Sequence, residues 1–175
     1  MSSINLIILG FLKKKPMSAY EITRHFEFKR MQKWVKVGSP TIFQNIKKLA
    51  VKNLLVGKTI KDTEMPEKVI YSLTEAGEEY FLELMDQFSA KPGKIVFDFN
   101  TFVANLGQVD KETALQMLNN LKMSFMASHI DVTNDYQELS DLPVEGVAIM
   151  KLYRTIFNDL IKWVDDLILH YETED

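Results

Sequence analysis

A chain of 175 residues without cysteine has room for one domain or two small ones, and neither disulfides nor thiolate zinc sites are open to it, which suits a reducing cytoplasm. The apolar run from Ile4 to Leu12 is too short to span a bilayer and no basic residues precede it as in a secretory signal, so no membrane partner is expected. The net charge of −3 conceals an asymmetry: residues 1–73 carry 14 Lys/Arg against 5 Asp/Glu, and residues 74–175 carry 7 against 19. A basic half joined to an acidic half points to a polyanion-binding part attached to a part with another task.

Taken in chain order, Ser3 to Lys13 reads as a helix with Ile4, Ile7, Ile8, Phe11 and Leu12 inward, stopped by Lys13-Lys14-Lys15-Pro16. The stretch Ser18-Ala19-Tyr20-Glu21 is a capping box, flanked by Met17 and Ile22 as a hydrophobic staple. It opens a second helix through about Lys33, with Tyr20, Ile22, Phe26 and Met31 among its apolar positions. Trp34, Val35 and Val37 cross a short connection, and Gly38 releases the chain into a third helix that starts at the pair Ser39-Pro40 and closes at Asn53. Ile42, Phe43, Ile46 and Leu49 give that helix its apolar face, while Thr41, Gln44, Asn45, Lys48 and Lys52 form the other face, with no acid among them. Two strands follow, Leu54–Val56 and Val69–Leu73, around a polar stretch from Gly57 to Lys68. Three helices and a two-stranded hairpin with a basic loop make a winged helix-turn-helix, in which the third helix enters the major groove and the hairpin lies along the backbone.

The remainder reads as all helical. Thr74 caps a helix toward Ser89 that Lys91-Pro92-Gly93 breaks, and a helix containing Phe97, Phe99 and Phe102 follows. Asp110 caps a long helix through about Leu139, which Asp141-Leu142-Pro143 ends. The last helix, about 144–171, places Ile149, Tyr153, Ile156, Leu160, Trp163, Leu167 and His170 at alternating steps of four and three. That is a coiled-coil-like seam, with Met150, Phe157, Val164 and Tyr171 as a second stripe beside it. A face this wide needs more than one neighbour, so a homodimer is expected through Ile149, Tyr153, Ile156, Leu160, Trp163 and Leu167. The fold class is therefore mainly α: a winged helix-turn-helix over residues 1–76 and a helical dimerisation domain, able to hold an effector, over residues 77–175.

Amide side chains bond bidentately to adenine in the major groove, and lysine reaches guanine or phosphate. Gln44 and Asn45 are thus the candidates for reading bases, with Thr41, Lys47 and Lys48 as base or phosphate contacts and Lys58, Lys61 and Lys68 as wing contacts to phosphates of double-stranded DNA. Exposed amides and lysines also serve simply to keep a surface soluble; the basic wing beside them tips the balance toward DNA. The aromatic and methionine content of the C-terminal half marks Phe97, Phe102, Met126 and Trp163, with Phe99, Met123 and Phe125, as walls for a small apolar or aromatic effector, although ordinary helical core explains the same positions. No catalytic residue, cofactor or metal site is expected, since His25, His129 and His170 are dispersed and no phosphate loop or nucleophile motif is present. A rival of another class is a winged-helix module that meets an acidic protein and does not read DNA.

Three segments in order carry a family resemblance. Ile8-Leu9-Gly10-Phe11-Leu12 with Pro16-Met17-Ser18-Ala19-Tyr20-Glu21-Ile22 is similar to the opening of the PadR family of transcriptional regulators. Trp34, Thr41-Ile42-Phe43 and Ile46-Lys47-Lys48-Leu49 resemble its recognition-helix segment, and Lys68 to Gly77 resembles the end of its wing. The chain departs from the family pattern at Ala19, near Pro40 and at Asn53, where the family favours Gly, and at Phe43, where it favours Tyr; lacking the hydroxyl, Phe43 receives no DNA role. The resemblance implies a dimeric DNA-binding regulator, usually a cytoplasmic repressor, often released by a small molecule.

Overall fold

The computed structural model describes residues 2–35, 38–60, 67–138 and 142–173, with Ser39 described by its backbone alone. They form two compact units, Met1–Ile95 and Val96–Asp175.

The first unit opens with α1 (Ser3–Lys14), capped by Ser2, and its Ile4, Ile8, Leu9, Phe11 and Leu12 are buried. A two-residue strand, β1 (Met17–Ser18), precedes α2 (Ala19–Phe28). The capping box forms as expected: Ser18 Oγ accepts from the Glu21 amide, and the Glu21 carboxylate accepts from the Ser18 amide at 2.7 Å. Helix α2 ends at Phe28, five residues short of the expected Lys33. There the Arg30 amide bonds the Glu27 carbonyl and Arg30 takes φ 50, so the chain leaves the helix, and a 3-10 turn over Met31–Lys33 sets Met31 and Val35 against the core. Tyr20, expected at an apolar position, instead lies 64% exposed with the Arg24 guanidinium 6.0 Å from its ring.

After α3 (Ser39–Val51) come β2 (Leu55–Ile60) and β3 (Lys68–Leu73), longer than the strands expected from sequence, in an antiparallel sheet of order β1-β3-β2. The sequence pattern missed β1, because two residues are too short to show a period; Met17 pairs with Tyr71 and Ser18 with Ile70. Helix α4 (Glu75–Ala90), capped by Thr74, sends Leu84 into the same core as Ile8, Ile22, Ile42 and Leu55.

In the second unit, the expected helix through Phe97, Phe99 and Phe102 is reduced to a four-residue α5 (Asn100–Val103) and a 3-10 turn at Leu106–Gln108. The reason is a ring stack: Phe97 and Phe99 lie 5.1 Å apart at 19°, and side chains two apart do not face each other on a helix. Asp110 caps α6 (Lys111–Glu138), accepting from the Thr113 amide at 2.8 Å. Helix α7 (Val144–Thr173) runs back along it, since Lys111 reaches the Glu172 carbonyl at 3.3 Å and Lys122 meets Asp165 at 2.5 Å. Leu106, Ala114, Leu118, Phe125 and Val164 fill the core between these elements. Among the described residues no helix is long and apolar enough to cross a membrane.

Candidate nucleic-acid interface

Helix α3 is held in place by its inner face and its end. Ile42, Ile46 and Leu49 are 0%, 1% and 2% exposed. Gly38, not Ser39, occupies the cap position, and it offers no side-chain cap; Ser39 is the first helical residue and Pro40 follows in the first turn, where a missing amide donor costs nothing. At the other end Asn53 takes φ 56, the Leu54 amide bonds the Leu49 carbonyl at 3.0 Å and the Asn53 amide bonds the Ala50 carbonyl at 2.9 Å. That is a Schellman closure with Asn at the left-handed position, as the sequence suggests, and Leu54 packs on the same core as Leu49.

The outer face then follows. Thr41, Gln44, Lys47, Lys48 and Lys52 are exposed, and α3 bears no acidic residue. Asn45 is half-buried and its amide donates to the Thr41 carbonyl at 2.8 Å, one turn back. That bond leaves Gln44 as the freer of the two amides, because one Asn45 proton is already engaged. Phe43, expected on the apolar face, is 43% exposed and belongs to the solvent side. On the flank toward α1, a cleft of about 400 Å³ is lined by Asn5, Asn45, Leu49, Val51 and the lysines 47, 48 and 52.

The wing contributes by register. Lys58 pairs with Ile70 and Ile60 with Lys68, so Lys58 and Lys68 project from one face of the hairpin as diagonal neighbours. Both are exposed. Lys61 falls outside the described residues. The Glu21 carboxyl is held below its ordinary value chiefly by the hydrogen bonds from the Ser18 backbone and side chain, and further by Lys68 and Lys15. The positive field of the wing therefore reaches the start of α2. A cation that sequence reasoning passed over also stands here: Arg24, exposed, rests over Tyr20 and makes no ion pair among the described residues. Its only signal in the sequence was its place on α2, the helix that crosses the DNA backbone in this motif.

In the second unit the residues marked for an effector gather around Phe99. Its ring lies 5.1 Å from those of Phe97 and Phe125 and 5.8 Å from that of Trp163. Phe102 packs on the same core, whereas Met126 is 38% and Met123 63% exposed. Of the marked seam, Leu160 and Leu167 pack against the in-chain core, Ile149, Tyr153 and Ile156 are half-buried, and Trp163 is 37% exposed. Met150 and Val164, from the stripe beside it, are deeply buried, as is Gly146. Among the described residues no cluster of His, Asp or Glu is placed to hold a metal ion.

Residues 8–83 match the model of the transcriptional regulator PadR-like family. The chain is 23% identical over 139 residues to the negative transcriptional regulator PadR of Bacillus subtilis (strain 168), a span of 79% of this chain and 76% of that protein. Its fold is similar to that of B. subtilis PadR in complex with operator DNA, with TM-score 0.81 at 18% identity over 97% of this chain and 99% of that one. The crystal structure of B. subtilis PadR with p-coumaric acid gives 0.80 at 16% over 99% of each chain. The Vibrio cholerae virulence activator AphA gives 0.72 at 16%, over 97% of this chain and 98% of that one.

Proposed function

From the match of residues 8–83 to the PadR-like family of transcriptional regulators, we propose that the chain is a dimeric, sequence-specific DNA-binding regulator that represses transcription and is released by a small apolar or aromatic effector. The observation that carries this reading is the solvent face of α3: Thr41, Gln44, Lys47 and Lys48 are exposed without an acid on the helix, in the same unit as a wing whose Lys58 and Lys68 share one face. Gln44 reads a base edge, with Asn45 supporting it through its remaining donor and its carbonyl. Lys47, Lys48, Lys58, Lys61 and Lys68 meet phosphates, and Arg24 adds a phosphate contact from α2.

In this reading residues 1–76 bind DNA, with α4 packed onto them through Leu84, and residues 77–175 assemble the dimer and hold the effector. The dimer forms through the parts of the α7 seam that the in-chain core leaves half-covered, Ile149, Tyr153, Ile156 and Trp163, continued by Leu160 and Leu167. The B. subtilis PadR complex with p-coumaric acid makes phenolic acids the first effector probes, acting on the cluster of Phe97, Phe102, Met126 and Trp163. The reducing cytoplasm remains the expected compartment.

Selection of bound sequences from a random DNA pool, followed by titration at several salt concentrations, tests the reading. Affinity is expected to fall steeply with salt through counterion release. Gln44→Ala should lose about 1–3 kcal/mol on the selected sequence and relax preference at one position, whereas Lys68→Ala should weaken all sequences alike and flatten the salt slope. A pool that yields no enriched sequence, with binding instead to an acidic protein surface, would establish the protein-module alternative.

A further inference from the structure

Phe43 is where the structure departs furthest from the apolar pattern of α3. Ile42, Ile46 and Leu49 complete the contact of the helix with the core, and Phe43 stands outside that core with 43% of its surface exposed. Its neighbours on the solvent side are the exposed Gln44, next in the chain, and Lys47, one turn on, and both Phe43 and Gln44 fall within the N-terminal half of the helix. That half is the part that meets base edges when such a helix enters the major groove. A phenyl ring has no donor or acceptor for a base edge and no charge for a phosphate. In the groove it can desolvate against one kind of group, the C5-methyl of thymine, the apolar mark that an A·T pair presents there.

We propose that Phe43 is a specificity-determining residue that reads a thymine 5-methyl group beside the base contacted by Gln44. The inference rests on the DNA-reading role proposed above and adds to it a hydrophobic term: an exposed aromatic whose burial is realised only on DNA of the right sequence. It also gives a role to an aromatic ring held in water, since the core does not need it. Charge complementarity commits the occupant to DNA, because the flanking groups are Lys47 and an amide and the first 73 residues carry 14 Lys/Arg against 5 Asp/Glu.

The test replaces, one at a time, each thymine of a sequence selected by the full-length protein with uracil, which deletes the methyl and keeps the pairing. Removing one buried methyl should weaken binding about fourfold at one thymine per half-site, taking the transfer value for a methyl-sized group. Phe43→Ala should bind the thymine-containing sequence more weakly and be indifferent to uracil at that position. Phe43→Leu, which keeps an apolar side chain and guards against misfolding of the alanine variant, should retain part of the sensitivity. Specific binding with no thymine whose methyl matters, or an alanine variant as sensitive to uracil as the parent, overturns the assignment while leaving the regulator reading intact. A pool with no enriched sequence overturns both.

Discussion

Gly77 locks the wing to α4, and giving it a side chain should unfold the first unit well below its normal temperature. A Cβ built there lies 2.0 Å from the Leu54 carbonyl oxygen and 3.1 Å from its carbon, both backbone atoms that no rotamer change removes. The same carbonyl accepts from the Thr74 amide at 3.2 Å. The Thr74 hydroxyl donates to the Asn53 carbonyl at 2.8 Å and accepts from the Gly77 amide at 3.0 Å. Relieving the contact means moving the first turn of α4 by more than an ångström, which opens this knot. Overpacking of this kind costs about 1–3 kcal/mol, each hydrogen bond lost adds about 1 kcal/mol, and the better helix propensity of Ala returns about 1 kcal/mol. The net loss for Gly77→Ala is about 2–4 kcal/mol, which for a unit of this size lowers Tm by roughly 10 °C or more. Thermal unfolding in a Trp163→Phe background reads the first unit alone, because Trp34 is then the remaining indole. A Tm within about 2 °C of the parent would refute the packing argument.

Three further outcomes follow from other elements. At Asn53, φ 56 suits Gly as well as Asn, so Asn53→Gly should hold or slightly raise Tm while Asn53→Val loses about 1–2 kcal/mol; equal Tm values for the two variants would contradict the left-handed closure of α3. The Glu21 carboxyl is held below its ordinary value of 4.5, first by the Ser18 backbone bond, then by the Ser18 side chain, with Lys68 and Lys15 assisting. A lowered folded-state value means its stabilisation is complete above about 4.5 and is lost as pH falls through the folded value, so the melting gap between parent and Glu21→Gln should close in acid; a gap constant with pH would count against the capping box as its source. Leu152, 56% exposed on α7 beside the seam, offers a clean probe of assembly: Leu152→Asp should turn a dimer into a monomer by light scattering without lowering the Tm of the second unit, and a monomeric parent protein would end the dimer reading.

The fold was legible wherever a local rule acts alone. The capping box at Ser18, the Asp110 cap of α6 and the left-handed Asn53 each follow from side chains within a few residues, and the structure has all three. Tertiary competition hid the rest. Ile42 and Phe43 are adjacent, and neighbours on a helix diverge by about 100°, so both cannot point inward. The composition of the stretch marks both as apolar, and only the partners of α3 decide that Ile42 is at 0% exposure and Phe43 at 43%. Asn45 shows the same limit for polar groups. The sequence marks an amide, but the bond from that amide to the Thr41 carbonyl, which ranks Gln44 ahead of it, depends on the rotamer it takes.

The α7 seam shows why assembly is harder to read than fold. A seven-residue apolar period records that a stripe is covered, and it does so equally for a neighbour in the same chain and for a second copy. Two stripes run side by side here. The structure takes Met150 and Val164 from one of them for the in-chain core, draws Leu160 and Leu167 in from the other, and leaves Ile149, Tyr153 and Ile156 half-covered. Helix α6 alone thus falls short of covering the width of the face. Exposed Leu152 and Trp163 lie beside the half-covered positions on α7. Scattered apolar residues on a surface need no explanation, but a half-covered seam repeating every seven residues on α7 favours a further helix against it. In the dimer proposed above, a second copy of α7, whose own seam is half-covered in the same way, would supply such a helix by symmetry.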